Sequence, residues 1–222
     1  MIWPPPTPPP VPPFHTPWQP DPLQPDPLQP PAPMPVMSVP APGPDWLAER
    51  LFDKRIVSLT GRLDAEATNR AAASLALLDA SDDGEVQLWL HGVDADIDAA
   101  ATLLDTLDLM GVPLHVHCRG DVRGMAIALL APADRRTSAS HATFHLREPQ
   151  TSCAGPASDV AIAAENHEQQ LRRLQQRIAD SCGRPVDTVI GDMRNHRILT
   201  ADEARDYGLI DAVTGARSVD GE

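Results

Sequence analysis

Proline crowds the start of this chain: 20 of its 25 prolines fall in residues 1–44 of 222. Each proline lacks a backbone N–H and biases its predecessor away from the helical region. Such a segment can form neither a helix interior nor a central strand. Runs such as Pro4-Pro5-Pro6 and Pro8-Pro9-Pro10 favour an extended polyproline II chain. A short repeat, Asp21-Pro22-Leu23-Gln24-Pro25 then Asp26-Pro27-Leu28-Gln29-Pro30, marks low complexity. Two readings of 1–44 are open, a docking strip for an aromatic groove aided by Trp3, Phe14 and Trp18, or a semi-stiff disordered spacer. Composition favours the spacer. The expected organisation is a proline-rich disordered tail, 1–44, and one folded domain, 45–222.

The charge balance narrows the partners. Asp and Glu total 31 against 18 Lys and Arg, a net charge of −13. Such an acidic balance argues against nucleic acid or an anionic membrane surface. No apolar run reaches the length of a membrane span, and the N-terminus lacks the basic and apolar regions of a signal peptide. Cys118, Cys153 and Cys182 are odd in number and share no ligand spacing, so neither a disulfide framework nor a metal site is expected. The expectation is a cytoplasmic protein with no cofactor.

Beyond the tail, hydrophobic periodicity alternates between two and 3.6 residues. Strands are expected at 55–59, 85–91, 114–118, 143–146 and 209–213. Helices are expected at 45–53, 64–79, 97–110, 122–131, 158–181, 186–193 and 201–205. Strands alternating with helices of this length imply βαβ units and a mostly parallel sheet, either flat or wound as a spiral.

Several stretches resemble one family. Arg50-Leu51 with Arg55-Ile56-Val57-Ser58-Leu59-Thr60-Gly61 is similar to the first strand of the Clp protease proteolytic subunit, the caseinolytic serine peptidase. Gly120 to Leu130 stands where that family has its nucleophile helix, and His145 and Pro149 lie near its histidine-and-proline motif. Leu199-Thr200-Ala201-Asp202-Glu203-Ala204 with Tyr207-Gly208-Leu209-Ile210-Asp211 is the most specific match. The resemblance, over about 46–215, implies a crotonase-like β-α spiral with residues 158–181 as a handle joining two rings. It also implies homo- or hetero-oligomers with proteolytic-subunit paralogues, and an AAA+ unfoldase as a possible partner at the axial face.

The resemblance implies a Ser-His-Asp triad, and the matching positions depart from it. Counting back five residues from Leu129-Leu130 places Gly124 at the serine position. The histidine maps onto His145, the only triad member retained, and the aspartate position holds His196. Asp192 matches an earlier aspartate of the family. The glycine pair of the family's oxyanion loop falls on Asp94 and Ala95, within Gly92-Val93-Asp94-Ala95-Asp96. A glycine cannot form an acyl-enzyme, and a carboxylate opposes a developing oxyanion.

No other constellation replaces the triad. Cys118 reads as a small buried hydrophobe. Asp94, Asp96, Asp98, His145 and His196 carry ligand chemistry without a metal spacing. The expected protein is a catalytically impaired or inactive proteolytic-subunit-like member of a ring assembly. The alternatives are an active ATP-dependent serine endopeptidase and a crotonase-fold acyl-CoA enzyme.

Overall fold

The computed structural model describes residues 46–149 and 155–215. The proline-rich segment and Cys153 lie outside the described residues. The elements run α1 (Trp46–Phe52), β1 (Ile56–Arg62), α2 (Ala65–Ser81), β2 (Val86–Ala95), α3 (Ile97–Asp108), β3 (Leu114–Gly124), a 3-10 helix (Met125–Leu130), β4 (Arg135–Ala139) and β5 (Thr143–His145). Then follow α4 (Ala157–Cys182), α5 (Val186–Arg194), β6 (Ile198–Thr200), α6 (Ala201–Tyr207) and β7 (Ala212–Thr214).

The main sheet has the order β1-β2-β3-β4-β7, with every pair parallel. β3 divides its partners: residues 115–118 pair with β4, and 121–123 pair with β5. β5 in turn pairs antiparallel with β6. This division winds the sheet into the β-α spiral.

Helix starts follow from side chains that accept from free backbone N–H groups. Asp64 accepts from Ala67 N–H and Asp96 from Ala99 N–H. At α6, Thr200 and Glu203 form a reciprocal capping box. Alternate strand residues Val86, Leu88, Leu90, Leu114, Val116 and Cys118 are buried in one continuous core with Leu75, Leu103 and Leu129.

Three strands outrun the sequence expectation, and one cause explains all three. Thr60-Gly61, the segment after His91 and the segment after Cys118 read as strand ends. In the fold each is a kink within a longer strand. Gly61, Gly92 and Gly120 have φ of 70°, 60° and 64°. The register shifts at the first two, between Thr60 and Gly61 and between His91 and Val93. Glycine supplies the positive φ that such bulges need, and the strand continues with a new heading. Strand β3 therefore reaches Gly124, and the expected helix 122–131 shrinks to the 3-10 helix 125–130. The re-aimed ends carry Arg62, Asp94 and Gly124.

Helix α4 divides into two halves. Leu174 and Ile178 turn into the domain's own core, whereas Ile162 is 61% exposed. Residues 157–170 show no buried position among those described. The apolar residues Val160, Leu171, Leu174 and Ile178 along α4 therefore form no single outward face.

Two arginines fasten helix ends to the sheet. Arg136 on β4 donates to Ser181 O at the end of α4, to Gly208 O after α6, and to the Asp211 carboxylate. Arg55 donates to Leu78 O and Gly84 O around the end of α2. Both satisfy carbonyls that a helix terminus leaves without an intrahelical partner.

Candidate active site

Gly124 is the last residue of β3 and caps the 3-10 helix, with φ 57° and ψ −134°. A sharp strand-to-helix turn is the geometry that presents a nucleophile in the α/β-hydrolases. Here the turn presents no side chain. A Cβ at this position would stand 3.1 Å from Asp94 Oδ1, 3.2 Å from Ala95 O and 4.0 Å from Arg147 Nε. Asp94 and Ala95 reach it because the β2–β3 ladder sets them opposite Arg123 and Gly124.

Around this point lies a cleft of about 110 Å³, lined by Arg62, Asp94, Ala95, Asp96, Gly124, Arg147 and Pro149. An ion pair crosses it, Arg147 Nη2 donating to Asp94 Oδ2. The pair ties the end of β2 to the segment that follows β5. Arg147 Nε is buried without an acceptor. Two of the three groups facing the position are oxygen acceptors.

His145 is not among the residues lining this cleft. Its backbone sits opposite Arg123 in the β3–β5 ladder, and its Nε2 lies 3.3 Å from Thr143 Oγ1. Burial lowers its pKa below the usual imidazole value, Arg123 and Arg147 add to the lowering, and Asp121 opposes them. The side chain that this part of the chain sends toward Gly124 is Arg147. The sequence signal for it was a basic residue between His145 and Pro149, and the presence of a histidine nearby obscured it.

His196 sits in the turn between α5 and β6, exposed, with φ 52°. Its N–H donates to Met193 O at 3.1 Å. The next residue's carbonyl, Arg197 O, accepts from Leu146 N–H at 2.9 Å, bringing this turn beside the segment that carries Arg147. Asp192 holds the turn in place, accepting from Tyr207 Oη at 2.8 Å and from Arg197. Burial first, then the hydrogen bond to Asp192, raises the Tyr207 pKa. Among the described residues no hydrogen bond joins His145 to His196.

The remaining candidates fall elsewhere. Asp96 is engaged at the start of α3. Cys118 is fully buried, and burial pushes its thiol far above the ordinary range, which keeps it from forming a thiolate.

Comparison with known proteins decides the family. The Clp protease family model matches residues 45–217. The chain belongs to the Clp protease family. It is 33% identical over 175 residues to ATP-dependent Clp protease proteolytic subunit 3 of Rhodococcus jostii, covering 78% of this chain and 87% of that one. It is 31% identical over 201 residues to proteolytic subunit 1 of Frankia casuarinae, covering 83% and 94%. A third relative, proteolytic subunit 3 of Streptomyces coelicolor, is 30% identical over 172 residues, covering 76% and 79%. The family's α/β fold accounts for the sheet and helices described above. No described helix is long and apolar enough to cross a membrane.

Proposed function

We propose that this chain is a catalytically silent member of the Clp proteolytic-subunit family, acting as a structural or regulatory position in a ring assembly. One observation carries the reading. Gly124 occupies the strand-to-helix turn, and the space beside it is held by Asp94, Ala95 O and Arg147. Acyl transfer needs a nucleophile, a base that can take its proton, and donors for the oxyanion. Gly124 has no hydroxyl. Arg147 offers only donors and cannot serve as the base. Asp94 puts a carboxylate beside the turn, where it opposes a developing negative charge. His145 and His196 supply imidazoles, yet neither lines the cleft at Gly124.

The same reading assigns assembly to helix α4. Its N-terminal half, with Ile162 exposed, is the part available to a neighbouring subunit, since the other half packs at home. Paralogous proteolytic subunits are the partners such a surface suits, with an unfoldase acting on the assembly.

The test is treatment of the purified chain with a fluorophosphonate probe, then intact-mass analysis and casein hydrolysis. The expected result is no serine adduct and no turnover above buffer. Native mass spectrometry after co-expression with an active paralogue should show mixed assemblies. A serine adduct that tracks with turnover would sink the proposal.

A further inference from the structure

The cleft at Gly124 is charged throughout, and its charges cancel. Arg62, Arg147, Asp94 and Asp96 all line a space of about 110 Å³. About four waters fill such a volume. The β1–β2 register sets Arg62 opposite Asp94 where the two strands end. Arg62 is exposed, with no hydrogen bond or ion pair among the described residues.

Donors and acceptors meet at the glycine. The point where a Cβ of residue 124 would stand is 3.1 Å from Asp94 Oδ1, 3.2 Å from Ala95 O and 4.0 Å from Arg147 Nε. Because residue 124 is glycine, no side chain covers this point, and Gly124 itself lines the cleft. Asp94 Oδ2 takes the Arg147 Nη2 donor, which leaves Oδ1 for a second one. Asp96 Oδ1 accepts from Ala99 N–H, which leaves its other oxygen. A guanidinium has more donors than one carboxylate oxygen uses. Arg147 Nε is buried without an acceptor. A charged donor kept from both water and an acceptor is costly. A carboxylate entering beside Gly124 supplies that acceptor after a small rotation of the guanidinium.

We propose that the cleft binds a small α-amino acid zwitterion, its carboxylate received by Arg62 and Arg147 and its ammonium by Asp94, Ala95 O and Asp96. A ligand with a single charge would satisfy the groups of one sign and desolvate those of the other without return. A zwitterion serves both. The ion pair between Arg147 and Asp94 holds one group of each sign in place before the ligand arrives. The volume restricts the side chain to a small one, such as that of alanine or serine. The inference rests on the silent-subunit reading in that the cleft carries no peptide chemistry. Its readout is binding, so turnover by the chain would remove that reading, whereas absent binding removes only this proposal.

The test uses the full chain with radiolabelled L-alanine in equilibrium dialysis, repeated by isothermal titration calorimetry. Saturable binding is expected, in about the millimolar range for so small a ligand. L-Alanine amide lacks the carboxylate and N-acetyl-L-alanine lacks the ammonium; each should bind at least about tenfold more weakly. Arg62→Gln, at an exposed position with no described partner to lose, keeps the fold and should weaken binding about tenfold. Arg147→Gln should abolish binding, and Arg173→Gln on α4 should leave it unchanged. No saturable binding of L-alanine, or parental affinity in the Arg62→Gln chain, overturns the proposal. Sodium acetate or methylamine competing as well as L-alanine would mark a site for one charge only, and overturns it too.

Discussion

Replacing Gly124 by serine is the obvious attempt to install a nucleophile, and the structure predicts that it damages the turn first. The backbone there has φ 57° and ψ −134°. A non-glycine residue held in such a sparsely populated region costs about 1–3 kcal/mol. The new Cβ would also stand 3.1 Å from Asp94 Oδ1 and 3.2 Å from Ala95 O. Neither neighbour yields freely. Asp94 is held by Arg147, and Ala95 O belongs to backbone paired in the β2–β3 ladder. Adding about 1 kcal/mol for this crowding, at the low end of overpacking costs, brings the total to roughly 2–4 kcal/mol. At about 2–4 °C per kcal/mol for a domain of this size, the thermal midpoint should fall by roughly 4–16 °C. Gly124→Ala carries the same Cβ and should fall equally, which separates backbone strain from anything the hydroxyl does. Differential scanning calorimetry measures both variants. The serine variant should also remain unlabelled by a fluorophosphonate, because its Cβ would stand beside the acceptors Asp94 Oδ1 and Ala95 O and no imidazole lines the cleft as a base. Midpoints within 2 °C of the parent for both variants would show that the turn does not depend on glycine. Labelling of the serine variant would show that the acceptor argument is mistaken.

Other perturbations probe separate links of the same reasoning. Arg136→Met removes hydrogen bonds to two helix ends and to Asp211; the loss should be about 2–4 kcal/mol, read by urea unfolding, since these carbonyls are left with an unpaired carboxylate beside them. Leu174→Glu buries a charge in the domain core and should prevent folding, whereas Ile162→Glu should leave the midpoint unchanged and shift the sedimentation profile toward smaller species. Asp94→Asn and Arg147→Gln should be non-additive, with a coupling of about 0.5–1 kcal/mol because both side chains are about a third exposed, and a purely additive cycle would deny the ion pair any role. His115, His117 and His145 all have pKa values lowered by burial first, with arginines adding to it. A lowered imidazole pKa means that the unfolded chain binds more protons below the ordinary value of 6.5, so their contribution is present above that pH and is lost as pH falls through the folded values. Thermal midpoints should therefore decline from pH 7 to pH 5, and His117→Asn should flatten the decline.

Much of the fold was legible because its signals are local. Asp64 and Asp96 before apolar periodicity announce α2 and α3, and Thr200 with Glu203 announces α6. Two strands were not foreseen. Arg135–Ala139 presents Arg, Arg, Thr, Ser and Ala, whose placement in the sheet comes from β3 and β7 rather than from its own hydrophobicity. Ile198–Thr200 is three residues long and exists through its pairing with β5. The candidate site was legible in part. Gly124 stands at the strand-to-helix turn and the Asp94–Ala95 segment stands beside it. Arg147 was missed because identity at a single position says nothing of which residue a strand end turns inward. That choice is made by tertiary register, which carries no local sequence mark.

The glycine kinks separate the cleft from the packed layer of the sheet. Below Gly61, Gly92 and Gly120 the strands present Leu59, Leu88, Leu90, Val116 and Cys118 to the core. Beyond them the same strands carry Arg62, Asp94 and Gly124 to the cleft. The bulges uncouple the heading of the distal segments from the packing beneath. Residues at the cleft are therefore free to change as a set without disturbing the layer that stabilises the sheet. Changing one at a time is a different matter. Asp94 without Arg147 would be a part-buried carboxylate that has lost its ion-pair partner, and Arg147 without Asp94 would be a part-buried guanidinium whose Nε has no acceptor among the described residues. The glycine at 124 gives both side chains the room they occupy. The three positions are thus one unit, because changing any one alone leaves an unpaired charge or a crowded turn in the cleft.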